Sequence, residues 1–307
     1  MTSDHTALRR ALAAAGITPA SVFLPSRPGR REEAANDPAR LLEGTTVQAR
    51  DVGGPAPWPE AVAFLDGVQH SELVGYAGSS PIVVGSVAAA VRVRADRTLT
   101  SRIVQRRDLV IGRRAALDAA GIALEGFERI ELSDGDPPHP MRELAQAAAA
   151  LDEARGALEV AAGIAYRQQG AEWLVVDGSL AESQVWARDP RMIGVARSHA
   201  SLPFEGADLD AYLRLPPGHR SPLFAPGSRR LAPVCAWAVR LWPWEGRDLL
   251  HGLIRVEVAP ANGTPELADR ISRWLLAERA PIAAPDPRWD RTLYGIRSVE
   301  EFLRATA

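Results

Sequence analysis

The sequence predicts an α/β protein with a central mixed β-sheet flanked by helices. Three observations carry that prediction. Residues 61–67 read AVAFLDG and residues 172–178 read EWLVVDG, two apolar runs of strand length that each end in Asp-Gly. Between them an Ala-rich segment runs from Met141 to about Gln169 and closes at Gly170, with Leu144, Leu151 and Leu158 spaced seven apart as one buried stripe. Further on, VCAWAVRLWPW at 234–244 and LLHGLIRVEVA at 249–259 form an antiparallel pair around EGRD.

The remaining elements follow in order. Residues 5–15 predict a short helix closed by Gly16, and a polar stretch containing Pro and Arg runs on to about residue 60. Residues 1–60 are therefore an N-terminal arm, suited to docking, protomer exchange or a free tail, and 61–307 form the main domain. The first strand spans 61–66, and β-rich pieces at 70–77 and 81–94 suggest a meander. A helix is expected around 107–120 with Arg106, Arg107, Arg113 and Arg114, either as a solvated face or as a basic edge for DNA. SDGDPPHP at 133–140 is a loop before the Ala-rich helix. After GSL at 178–180 come an amphipathic helix and then MIGVARSHASLP at 192–203, a strand running into a polar loop. The Pro- and Gly-rich region 204–232 reads as an insertion or long loop, and helices at 264–278 and about 296–305 finish a chain without internal repeats.

With 307 residues, 46% hydrophobic and 24% charged, the chain is able to bury a full core. A net charge of -2 excludes a uniformly basic nucleic-acid coat but leaves room for a local basic channel. All 36 basic residues are Arg, so any phosphate contact uses guanidinium, backbone amides or neutral polar groups. The single Cys235 excludes an intramolecular disulfide and a Cys-rich zinc site, and its apolar setting reads as a buried thiol. The N-terminus lacks a continuous secretory core and no run approaches a membrane span, so a cytoplasmic protein is expected.

The two Asp-Gly strand ends carry the chemistry. A strand end is rigid, and the following Gly admits a ligand or another backbone, so carboxylates on neighbouring strands suit a shared divalent metal. The helix between them bears Asp152, Glu153 and Glu159 beside its apolar stripe. Seven extended residues from Gly170 to Asp177 travel about 23 Å, which a helix covers in roughly fifteen residues. Counting back reaches the neighbourhood of residue 155, so acids of this helix fall level with Asp177. An early strand group with a carboxylate, a central helix, a second carboxylate strand and later helices are the order of an RNase H-like core.

Taken in sequence, AVAFLDGVQ, the helix segment Arg155 to Glu159, WLVVDGSL, IGVARSH, the pair CAWAVRL and GLIRVEV, and DPRWDRTLYGIRSVEEFL resemble successive motifs of the NurA nuclease family. The resemblance spans about residues 60–305. It implies an RNase H-like (PIWI-like) fold, a homodimer, and manganese- or magnesium-dependent cutting of DNA as a 5′–3′ exonuclease, an endonuclease or both. It also implies work with a HerA-like hexameric ATPase in DNA end resection and double-strand break repair. By this resemblance the catalytic metal ligands are Asp66, Glu159 and Asp177. Arg197 falls where the family carries a basic residue suited to the scissile phosphate, and His199 at a position able to contact phosphate or shuttle a proton. Many members place a metal-binding His in the final helix; this chain has none there, which leaves Asp290, Glu300, Glu301 or water as the fourth ligand.

Each residue also has a structural reading. Asp177 caps the following helix together with Ser179, Asp66 is a turn residue, Asp152 and Glu153 compete with Glu159, and His70 and His199 lie on exposed strand or loop. Two further functions stand beside the nuclease: a catalytically weak subunit that guides DNA for a HerA-like ATPase, and a phosphatase-like hydrolase using the same Asp residues. The last lacks a phosphate-cradling Gly-rich loop.

Overall fold

The computed structural model describes residues 35–36, 38–95, 98–120, 126–133, 137–197, 199, 201–227, 232–279 and 291–306. The helix expected at 5–15 and the reserve ligand Asp290 lie outside them. The chain divides into two compact units, Met1–Pro59 with Val176–Tyr294, and Glu60–Val175 with Gly295–Ala307. They are named below for the aspartate each contains. The Asp177 unit opens with three two-residue strands, β1 (Ala35–Asn36), β2 (Arg40–Leu41) and β3 (Arg50–Asp51).

The Asp66 unit is built on an antiparallel meander of β4 (Val62–Ala77), β5 (Ser80–Ala95) and β6 (Thr98–Arg113). Helix α1 (Arg114–Ala120) leads to β7 (Glu128–Leu132), which pairs parallel with β6. The Ala-rich segment forms α2 (Pro140–Arg167) and returns as β8 (Trp173–Asp177), hydrogen-bonded beside β4. The strand order β7-β6-β5-β4-β8, with the helix crossing from the meander to the strand next to its first member, is an RNase H-like core.

Two expectations need correction here. The pieces at 61–66 and 70–77 are one strand, because the polar stretch Gln69–Leu73 stays registered on β5, from Gln69↔Val87 to Leu73↔Val83, while its side chains face solvent. The helix expected at 107–120 starts only at Arg114. Residues 98–113 continue the sheet because Ile103, Gln105 and Arg107 alternate with exposed Arg102, Val104 and Arg106, a period of two that fits a strand flanking β5. The four arginines accordingly share no helix face. Arg106 donates to the Thr306 carbonyl at 2.8 Å, Arg107 and Arg114 pair with Glu128 and Glu131, and buried Arg113 pairs with Glu143 at 2.9 Å.

Helices cover both faces of this meander. Leu151 of α2 rests on Gly85, where an added Cβ would come within 2.6 Å of its Cδ1. On the other face lies α6 (Tyr294–Ala305), whose Gly295 makes room for the Phe64 ring. Arg92, paired with Phe64 across the strands, donates to the Ser298 carbonyl at 3.1 Å and stacks over Phe302. Full burial of a side chain such as Phe64 or Leu65 is worth about 1.5–3 kcal/mol, which fixes the height at which Asp66 leaves the core.

The ends of α2 are set by named contacts. At its start, the His139 side chain accepts from the Arg142 N–H, Pro140 occupies the first turn, and the Glu143 carboxylate accepts from the His139 N–H at 2.8 Å. Burial alone would raise the Glu143 pKa, but the His139 N–H, Ser80 and Arg113 outweigh it and hold the carboxyl below its usual range. At its end, the Tyr166 hydroxyl donates to Glu172 at 2.6 Å, and Arg167 donates to the carbonyls of Gly170 and Glu172. That closure delivers the chain into β8.

In the Asp177 unit the end of β8 is followed by α3 (Gln184–Arg188), β9 (Met192–Ala196), β10 (Ser201–Leu202), α4 (Gly206–Leu213), β11 (His219–Arg220), β12 (Phe224–Ala225), β13 (Cys235–Arg240), β14 (Leu253–Val258) and α5 (Pro265–Glu278). Its strands run β8-β9-β14-β13-β12-β2, with β11 bridging β13 and β3. The expected hairpin forms over Cys235↔Val258 to Arg240↔Leu253. Cys235 is buried, and desolvation pushes its thiol up to about 11.

Region 204–232, expected as a loop or insertion, contains α4, β11 and β12. Tyr212 of α4 packs edge-on against Phe204 and Phe224, at 5.6 and 6.4 Å between ring centroids, and that aromatic core orders a stretch too short and Pro-interrupted to announce a helix. Residues 38–59 belong to the same unit. β2 and β3 pair with β12 and β11, Glu43 pairs with buried Arg220 at 2.7 Å, and Trp58 donates its indole N–H to Glu278 at 3.0 Å. Among the described residues no helix is long and apolar enough to cross a membrane.

Candidate functional site

Asp66 is the fifth residue of β4, where the strand passes from full burial to exposure, and the residue is 5% exposed. One carboxylate oxygen accepts from the Gly67 N–H at 2.8 Å. Opposite Gly67 sits Glu159 of α2, itself 6% exposed, so close that a Cβ at Gly67 would lie 2.2 Å from its Oε1. With Glu159 seated there, no Cβ fits at position 67 unless that side chain shifts. Pleat alternation puts Glu159 on the α2 side of β4 and the Asp66 side chain on the Phe64 side.

Glu159 is held by Arg155, one helical turn earlier. The same guanidinium donates to Asp152 at 2.9 Å and to Gln69 of β4 at 3.1 Å, tying the helix to the strand just beyond Gly67. Burial alone would lower the Arg155 pKa, yet Glu159 and Asp152 outweigh it and raise it, so the group is permanently cationic. Asp152 and Glu153 are both exposed, and of the acids on this part of α2 it is Glu159 that reaches the strand.

Asp177 ends β8 in the other unit and is half-buried. Arg197, the residue after β9, grips both its carboxylate oxygens, with Nε to Oδ1 at 2.7 Å and the second contact from Nη2 to Oδ2. This is a two-pronged pairing, the geometry that also recognises phosphate. Arg291 donates to the Arg197 carbonyl at 3.1 Å. His199 Nε2–H donates to the Leu253 carbonyl at 2.8 Å. Desolvation lowers its pKa to about 4, opposed by that hydrogen bond and helped by Arg291, Arg255 and Arg240, so the ring is neutral at pH 7.

The segment after Asp177 turns sharply. Gly178 has φ 140°, a conformation that favours glycine, and its N–H donates to the Val195 carbonyl at 3.0 Å. Ser179 caps the 3₁₀ turn Leu180–Glu182, its hydroxyl accepting from the Ala181 N–H. That hydroxyl also donates to Glu257 of β14 at 2.7 Å, and the same Glu257 oxygen accepts from the Leu180 N–H at 2.9 Å. Arg255 donates to the other oxygen at 3.0 Å. Glu257 is wholly buried, and with Arg255 it is one of two charged residues in a strand whose other members are apolar. The sequence offers one signal for it, Glu257 alternating into a run whose neighbours are apolar or Arg.

His70 is exposed on β4, and Glu300 and Glu301 form exposed i,i+4 pairs with Arg304 and Arg297 on α6. Among the described residues no three His, Cys, Asp or Glu side chains are gathered as a metal site. In kind, carboxylates suit a hard divalent cation such as magnesium or manganese. The cradle at Gly67 seats the Glu159 carboxylate on the residue that follows Asp66, on the face of β4 opposite the Asp66 side chain. In this arrangement the positive charge beside Glu159 and Asp177 comes from Arg155 and Arg197, which a metal would have to displace.

No protein-family model matches this chain, and no curated protein matches it. Among solved structures it is similar to the NurA nuclease from Sulfolobus solfataricus, with TM-score 0.48 and 10% identity over 84% of this chain and 86% of that one. It is also similar to the catalytic domain of human endonuclease V, with TM-score 0.32 and 15% identity over 80% of this chain and 83% of that one. The RNase H-like assignment rests on the chain's own strand order.

Proposed function

We propose that this protein is a divalent-metal-dependent DNA nuclease of NurA type, with Asp66, Glu159 and Asp177 as its acidic residues. The observation that carries the reading is the seat of Glu159 on Gly67, beside Asp66, within an RNase H-like core. Asp66 and Glu159 are both nearly buried, and a buried carboxylate is costly unless hydrogen bonds or a cation attend it. The Gly67 N–H attends Asp66 and Arg155 attends Glu159, and a divalent cation would add to that support. Manganese or magnesium would supply an activated water and stabilise the leaving 3′ oxygen of a phosphodiester. Arg197 orients Asp177, and its guanidinium is shaped to hold the non-bridging oxygens of a phosphate. His199, neutral and fixed through Nε2, keeps Nδ1 as its remaining ring nitrogen, able to accept a proton or a hydrogen bond.

By its resemblance the chain would act as a homodimer beside a HerA-like hexameric ATPase in DNA end resection. The test is cleavage of single- and double-stranded DNA by purified protein with manganese or magnesium, alone and with such an ATPase. Cutting that disappears in Asp66→Ala and in Asp177→Ala supports the proposal. Absence of cutting under every condition rejects it. A second reading, a weakly catalytic subunit that guides DNA for the ATPase, draws on the arginines seated on Glu159 and Asp177. It predicts DNA-dependent stimulation of the ATPase that survives both substitutions.

A further inference from the structure

We infer that Glu257 and Ser179 are positioning residues that fix the direction of the Asp177 carboxylate, an inference that rests on the nuclease reading. The turn Asp177–Leu180 is held from two sides. On one side the Gly178 N–H binds the Val195 carbonyl, and Gly194 leaves room for the turn: a Cβ there would lie 2.9 Å from the Gly178 carbonyl oxygen and 3.1 Å from the Leu180 nitrogen. On the other side a single oxygen of Glu257 takes both the Ser179 hydroxyl and the Leu180 N–H.

A fully buried carboxylate in the middle of a strand is expensive to desolvate unless it is paired and saturated with hydrogen bonds. Glu257 meets that requirement with Arg255 on one oxygen and the turn on the other. A neutral acceptor would cap the same turn at less desolvation cost, so the charge itself calls for a role. Residues Asp177 and Ser179 flank Gly178, whose φ of 140° has no side chain to restrain it. The Glu257 contacts thereby limit the swing of the carboxylate two residues away. Register reinforces the link, since Glu257 lies opposite Gly194 and Arg255 opposite Ala196, the residue before Arg197. One strand thus backs both the aspartate turn and the arginine that grips it.

The test uses the full-length protein, with Mn²⁺ alone as the probe and then with DNA. Glu257→Gln removes the charge and keeps the shape. Ser179→Ala removes the hydroxyl and is the milder change should Glu257→Gln fold poorly, while Ser179→Thr restores the hydroxyl. Amide exchange at Gly178–Leu180 is expected to quicken in Glu257→Gln and Ser179→Ala and to recover in Ser179→Thr. Mn²⁺ affinity, read by electron paramagnetic resonance without DNA, is expected to weaken about 10–100-fold, the usual effect of losing a group that supports a ligand. Cleavage should lose kcat with KM for DNA unchanged. Faster exchange without change in Mn²⁺ affinity or kcat overturns the positioning role, as does unchanged exchange. If Asp177→Ala abolishes cutting while Ser179→Ala and Glu257→Gln retain it, only this inference falls. If the wild type neither binds Mn²⁺ nor cuts DNA, the nuclease reading falls and takes the inference with it.

Discussion

Asp66-Gly67 and Asp177-Gly178 are the same dipeptide at the ends of two apolar runs, yet their glycines do different work. Gly67 lies inside the extended β4 and matters for what it lacks: the space of its missing Cβ is filled by the Glu159 carboxylate. Gly178 has open space where a Cβ would go and matters for its backbone, at φ 140°. One glycine admits a side chain, the other permits a turn. The surroundings follow suit. Asp66 is bounded by a helix whose acid and arginine reach the strand, whereas Asp177 is bounded by a neighbouring strand's arginine and by a turn pinned to buried Glu257.

That difference is open to attack with alanine at each glycine, the largest effects expected. Gly67→Ala drives a methyl into Glu159 and costs about 1–3 kcal/mol by overpacking. Gly178→Ala meets no neighbour but forces an L-residue into a strained backbone, again about 1–3 kcal/mol. The two are told apart by rescue. Adding Glu159→Ala to Gly67→Ala removes the clash, so the double variant should be more stable than the sum of the single effects predicts in a urea-unfolding cycle. No side-chain removal should rescue Gly178→Ala. Additive behaviour at Gly67 would mean that the close approach of Glu159 does not govern that position.

Much of this architecture is legible in the sequence, and the exceptions have physical causes. The strands at 61–66 and 172–176, the long Ala-rich helix and the hairpin of 235–258 announce themselves because apolar periodicity and closing glycines are local signals. β6 was hidden because Arg106, Arg107, Arg113 and Arg114 look like a helix face, and only pairing with β5 reveals the period of two. The acid-bearing helix was legible as a unit, but Glu159 separates from Asp152 and Glu153 only through the missing Cβ of Gly67, a contact over a long sequence separation. Glu257 is hard to assign from sequence because its partners, Ser179 and Leu180, come from a turn far away in the chain. The strand pattern shows only a charge set among apolar residues, and the network that charge belongs to is a property of packing.

The arginines give a smaller contrast. Arg155 spans Glu159, Asp152 and Gln69, with more than a quarter of its side chain exposed at 28%. Removing one member of a fully buried ion pair costs about 3–5 kcal/mol, while exposed pairs are worth roughly 0–1 kcal/mol. Arg155→Gln should fall between them, at about 1–2 kcal/mol by urea unfolding. It should also tighten Mn²⁺ binding, because a cation competing for Glu159 is gone. Weaker Mn²⁺ binding in Arg155→Gln would show that Arg155 supports the acid and does not compete for it.

The last contrast separates the two regions by pH. His199 lies in the Asp177 unit, its pKa lowered to about 4 chiefly by desolvation, while an unfolded-chain His titrates near ~6.5. Above ~6.5 neither state holds the proton, so the group contributes no slope there. Between those values the unfolded chain takes up a proton that the folded one refuses, so stability falls as the pH is lowered. Below about 4 both states are charged and the loss levels off. Carboxylates add losses of the same sign, so the informative quantity is the difference from His199→Gln, which keeps an N–H for the Leu253 carbonyl and does not titrate. Urea midpoints of wild type and His199→Gln should converge or cross as the pH falls from 7 towards 4, the wild type declining more steeply. Parallel curves would mean that His199 charges as readily in the folded protein as in the unfolded chain, and its neutral, Leu253-bound ring would have to be abandoned.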